Sequence, residues 1–83
     1  MKVTLRKFLD IVGDNFLETY IACLYVEEWD ELFEEWFPRK VVDSMKSMKV
    51  IEPYMEYEIT AFSQTLNYAE IESQDIYVRK IEA

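Results

Sequence analysis

The sequence predicts an α+β domain, with two short helices packed on a three- to four-stranded, mainly antiparallel sheet. Three observations carry this. Helical spacing of apolar residues marks two segments near positions 5–12 and 27–37. A nearly continuous apolar run rich in β-branched and aromatic residues fills 16–26. Strict alternation marks two later segments, from Met55 to Phe62 and from Asp75 to Ile81.

In chain order, Thr4 precedes Leu5, Phe8, Leu9 and Val12, and Gly13 follows. That places the first helix at 5–12, with Thr4 as N-cap and Gly13 just past the end. So short a helix depends on docking its apolar stripe. Residues 16–26 then read as a central strand covered on both faces, because both parities are apolar: Ala22, Leu24 and Val26 on one side, Ile21, Cys23 and Tyr25 on the other. The second helix is expected at 27–37. Its apolar residues Trp29, Leu32, Phe33, Trp36 and Phe37 follow the i, i+3, i+4, i+7, i+8 pattern, and Pro38 ends it. This aromatic stripe is expected to anchor the core. Trp29 and Trp36 would become interface anchors if the fold left them exposed.

Residues 41–52 are ambiguous: Val41, Val42 and Met45 fit one helical turn, while Met48, Val50 and Ile51 read as a strand running to Pro53. The strand from Met55 is expected to bury Met55, Tyr57, Ile59 and Ala61 and to expose Glu56 and Glu58. Residues 64–73 read as a loop with at most a short strand.

With 83 residues the chain is expected to form one small acidic domain over 1–83. A domain this size buries roughly 60–65% of its unfolded surface, so its core is thin. No apolar run approaches the ~20 residues of a membrane span, and charges interrupt the first ten residues, unlike a signal peptide. A single cysteine, Cys23, precludes an internal disulfide and fits a reducing, cytoplasmic setting.

The formal net charge is −8. It concentrates in Glu27, Glu28, Asp30, Glu31, Glu34 and Glu35, and again in Glu56, Glu58, Glu70 and Glu72, with no base inside either group. Such a balance opposes direct contact with nucleic acid or anionic membranes and favours a basic protein surface. The absence of histidine excludes Ser–His and Cys–His nucleophile systems and zinc sites built on His. One glycine excludes phosphate-cradling loops. Cys23, inside the apolar run, reads as a buried inert thiol. Carboxylate pairs need a cleft that separates their pKa values before they do acid–base work, so the chain is read as non-enzymatic, without cofactor or metal.

The layout resembles small acidic proteins carried by phages and mobile elements of Gram-positive bacteria: Thr-Leu-Arg-Lys-Phe-Leu near the start, a strand, a Glu-rich amphipathic helix ending in Trp-Phe-Pro, and strands closing on Ile-Tyr-Val-Arg. Some of those proteins are anti-CRISPR inhibitors that occupy nucleic-acid channels. The resemblance implies an inhibitor or regulator of a basic, nucleic-acid-handling protein, acting as a DNA mimic if the two acidic strips share a face. The partner-binding residues would be Glu27, Glu28, Asp30, Glu31, Glu34, Glu35, Glu56 and Glu58. The competing expectation is a structural subunit or homodimer that uses an aromatic or strand-edge interface around Trp29 and Trp36.

Overall fold

A computed structural model describes residues 2–13, 21–45, 48–67 and 70–81, with the backbone alone described at 21, 48, 65–67 and 70–72. Helix α1 spans Leu5–Val12. The Thr4 hydroxyl accepts from the Lys7 amide at 3.2 Å, and the Gly13 amide closes on the Leu9 carbonyl at 3.0 Å with Gly13 at φ 77°. Both ends are therefore as the sequence predicts. Strands β1 (Ile21–Asp30), β2 (Glu35–Val42), β3 (Glu58–Asn67) and β4 (Glu70–Arg79) form one sheet in the order β2-β1-β4-β3. β1 pairs antiparallel with β2 and β3 antiparallel with β4, while the two inner strands β1 and β4 run parallel. A helical turn α2 (Met48–Ile51) continues into a 3-10 turn over Glu52–Tyr54. Two short helices on a mainly antiparallel four-stranded sheet is the class the sequence predicts, but one helix lies elsewhere.

That difference falls on residues 27–37, which form the β1–β2 hairpin and not a helix. The register is Trp29↔Trp36, Glu28↔Phe37, Glu27↔Pro38 and Asp30↔Glu35, around the turn 31–34. A seven-residue separation puts two side chains on one face of a helix. It also puts them directly opposite across a four-residue hairpin loop. Charge favours the second solution. A helix would stack Glu27, Glu31 and Glu35 at i, i+4, each pair repelling. The hairpin instead places Glu28 at 2.9 Å from Arg39 and Glu27 at 2.6 Å from Arg79. Asp30 accepts from the amides of Leu32 (2.8 Å) and Phe33 (3.2 Å), a local turn that fixes the loop. Glu34 closes it at φ 52°, in the left-handed region. Pro38 sits in edge strand β2, where a missing amide is tolerated.

The core is correspondingly aliphatic. One face of the sheet presents Ala22, Leu24, Val26, Val42, Ile76 and Val78, and Leu5, Met45, Ile51 and Met55 close over it, all buried. Phe8 and Leu9 of α1 pack against this cluster. The aromatic stripe expected to anchor the core is outside it: Trp29, Leu32, Phe33, Trp36 and Phe37 are all exposed. β1 is central as expected, although residues 16–20 of the predicted strand lie outside the described residues.

The strand expected to run through Val50 and Ile51 is α2. Ile51 is fully buried while Val50 is half exposed, and Pro53 takes an early position in the 3-10 turn, which its fixed φ suits. Val41 and Val42, read as a helical turn, end β2. The segment 64–73, read as a loop, supplies the ends of β3 and β4. In β3 a register shift between Ile59 and Ala61 turns Phe62 towards α1, its ring 5.9 Å from that of Phe8. Ile59 packs on the core as expected, but Ala61 is exposed.

Replacing Glu34 separates hairpin from helix. In a helix, Glu34→Gly would cost about 1 kcal/mol. At φ 52° it relieves the left-handed strain of a residue with a Cβ, and urea denaturation should show a stability gain of about 0.5–1 kcal/mol.

Candidate interaction hairpin

Past Val26 the core ends, and the β1–β2 hairpin continues with both faces accessible. Alternation assigns its side chains. Trp29, Trp36, Glu27, Pro38, Tyr25 and Lys40 share the face turned away from the helices, and Glu28, Asp30, Glu35, Phe37 and Arg39 share the helix side.

The outer face is internally braced. Arg79, at the end of β4, holds the Glu27 carboxylate at 2.6 Å and lays its guanidinium 3.8 Å over the Trp36 ring. Trp36 meets Trp29 edge-on at 5.5 Å. The Thr60 hydroxyl of β3 donates to the other Glu27 oxygen and also lies within reach of the Tyr77 carbonyl at 3.3 Å. Burial pushes the Glu27 carboxyl up, but the Thr60 and Arg79 hydrogen bonds and the Arg79 charge outweigh it and hold it below the ordinary carboxylate value. Further along, the Tyr25 and Tyr77 rings stack at 4.9 Å, with the Lys40 ammonium 5.7 Å from the Tyr25 centroid.

The helix side carries the Arg39–Glu28 ion pair at 2.9 Å and the Asp30 turn. Phe33 and Phe37 meet edge-on at 5.9 Å, and Leu32 stands at the apex, 84% exposed.

The structure thus separates the carboxylates read together in the sequence. Glu27 is neutralised by Arg79, Glu28 is paired with Arg39, and Asp30 is committed to the turn. Glu31, Glu34 and Glu35 are exposed at the tip, with no ion pair among the described residues. Glu56 and Glu58 do not share a strand face. Glu56 lies in the turn before β3, bound to Arg6 at 2.6 Å, whereas Glu58 faces Arg79 in the β3–β4 register. The side chains of Glu70 and Glu72 are outside the described set. Trp29 and Trp36 are joined and half exposed. Arg79 and Thr60 escape the sequence reading because their partner Glu27 is 52 and 33 residues away and no local pattern marks the contact.

Cys23 is buried, its thiol donating to the Asp43 carbonyl at 3.2 Å, and burial raises its pKa above the ordinary thiol value despite nearby Lys40. That is an unreactive setting. A shallow depression of about 240 Å³ lined by Arg6, Lys49, Glu52 and Met55 involves none of the hairpin. Among the described residues, no three carboxylate or thiol groups converge as a metal site, and no helix is long and apolar enough to cross a membrane. Comparison with family models, with curated proteins and with solved structures finds no match to this chain.

Removing the brace tests it. Arg79→Met keeps bulk but leaves Glu27, only 15% exposed, without its counter-charge, and should cost about 1–3 kcal/mol in urea denaturation with a red-shifted tryptophan emission. Because the folded Glu27 pKa lies below its unfolded value, its contribution is complete above that unfolded value and is lost as pH falls through the folded one. Thermal melts of Glu27→Gln should therefore show a flatter acid limb than the parent.

Proposed function

We infer that this chain is a non-enzymatic binding protein that engages a basic protein surface through the β1–β2 hairpin, in the manner of an inhibitor or regulator of a nucleic-acid-handling protein. One observation carries the reading: five large apolar side chains stand exposed on a single hairpin, interleaved with Glu31, Glu34 and Glu35, which make no ion pair among the described residues. Contiguous exposed apolar surface on a small domain marks an interaction site, and the carboxylates set the sign of the partner. The non-enzymatic part of the reading rests on the sequence, which holds no histidine for the common nucleophile and acid–base systems.

Charge matching at the tip is better supported than imitation of a DNA strand. Glu27, Glu28 and Glu56 are ion-paired within the chain and Asp30 is tied to the turn, so the acidic stretch 27–35 does not stand as one open row of charge.

Association of copies through strand edges has less support. β2 carries Pro38, Arg39 and Lys40 at the edge of the sheet, which blunts pairing. The start of the β3 edge is covered by the Val3–Thr4 segment, with the Ile59 amide donating to the Val3 carbonyl at 2.8 Å.

The test is retention of a basic protein from a bacterial lysate on the immobilised chain, repeated at raised salt, with competing DNA, and with Glu31, Glu34 and Glu35 all changed to Lys. Retention should fall with salt and by about 100-fold in affinity with the triple reversal, at about 1 kcal/mol per like-charge contact created. Retention indifferent to the reversal would overturn the reading, and capture of the chain by itself alone would favour the homo-oligomer.

A further inference from the structure

We propose that the helix side of the hairpin tip is the docking surface for a basic amphipathic segment of the partner. Leu32, Phe33 and Phe37 would receive its Leu- or Ile-type side chains, and Glu31, Glu34 and Glu35 its Lys or Arg side chains. This rests on the reading above and adds which face is engaged and what the partner presents to it.

The two faces of the hairpin differ in how far their aromatic surface is already used. On the outer face, one side of the Trp36 ring is covered by Arg79, Trp29 packs edge-on against Trp36, and Glu27 is neutralised. In the turn, Leu32 and Phe33 are 84% and 63% exposed, against 49% and 39% for Trp29 and Trp36, while Phe37 on β2 is 42% exposed. The most open apolar side chains are therefore Leu32 and Phe33, directly beside Glu31 and Glu34 in the turn. Glu35 and Phe37 share the helix-side parity of β2, and Glu31 and Glu34 flank Leu32 and Phe33 in the turn.

The tip is also preformed. Asp30 ties two turn amides, and Glu34 is set in the left-handed region. A preformed loop loses little conformational entropy on docking. The outer-face brace holds the strands that carry it.

The occupant follows from this chemistry. Phe rings beside carboxylates suit cations that carry an apolar stem or neighbour, through ring faces as well as charge. Phosphates and anionic headgroups would be repelled. A second copy, also at net charge −8, would bring carboxylates against carboxylates.

The probe is a fluorescein-labelled helical peptide of leucine and lysine, compared by anisotropy with polylysine of equal charge and with the matching leucine–glutamate peptide. The leucine–lysine peptide should bind about tenfold or more tightly than polylysine, and the leucine–glutamate peptide should not bind. Phe33→Ser and Phe37→Ser should each weaken binding about tenfold, with Ile11→Ser, an exposed α1 position away from the hairpin, having little effect. The chain's two tryptophans both lie on this hairpin, so unchanged emission in the Phe variants shows that it remains folded. Equal binding of polylysine, or unchanged affinity in both Phe variants, overturns the proposed surface and leaves the basic-partner reading standing. Failure of both cationic probes, together with lysate retention indifferent to the Glu-to-Lys reversals, removes both.

Discussion

The contact on which the rest of this structure depends is the one made by Arg79. From the end of β4 it reaches Glu27 on β1 and Trp36 on β2, and Glu27 in turn accepts from Thr60 on β3. One guanidinium thereby links all four strands at the point where the core stops. Its value lies less in net stability than in register. A half-buried ion pair gives back much of its Coulomb energy as desolvation. A one-residue slip of β2, however, would carry Trp36 to the other face and strand Arg79 beside no ring and Glu27 beside no charge. The hairpin continues past the core in a fixed register because that alternative is costly.

How much of this was legible depends on which physical signal each segment carries. α1 was legible to the residue, because Thr4, Gly13 and the stripe of Leu5, Phe8 and Leu9 are local and mutually consistent. The central position of β1 was legible from its two apolar parities. The hairpin was not, because period seven is degenerate: Trp29 and Trp36 satisfy a helical stripe and a cross-strand pair equally well. What breaks the tie is where the carboxylates find partners. Arg39 lies only eleven residues beyond Glu28, but Arg79 is 52 residues beyond Glu27, and no window of sequence contains that contact. Placing the parallel β1–β4 pair between two hairpins is likewise a non-local choice.

The candidate site was read in the wrong shape, as a helix where the chain forms a hairpin. Treating 27–35 as one acidic helical face gave its carboxylates a single role, whereas the hairpin divides them among an ion-pair brace, a cross-strand pair, a turn and a free cluster. The same division corrects the β3 strip, where Glu56 belongs to the turn and to Arg6. The shift after Ile59 reverses the parity that alternation assigned to Ala61 and Phe62. A single extra residue in one strand leaves no trace in composition, only in pairing.

The chain also inverts the usual use of its residues. Its buried core is built from Leu, Ile, Val, Met and Ala, while Trp29, Trp36, Phe33 and Phe37 lie outside it. Aromatic side chains bring more apolar area than any others, of the order of 150–250 Å² each. Leaving four exposed on a domain this small forgoes several kcal/mol of hydrophobic stabilisation. It also creates an edge hairpin prone to association. The carboxylates at the tip, with Pro38 and the basic pair Arg39 and Lys40 on β2, counter that association electrostatically and by blocking strand addition. A surface that is both costly in stability and guarded against its own kind is what the proposal of a partner of opposite charge accounts for and solubility alone does not, since solubility would be served better by removing the rings than by surrounding them with charge.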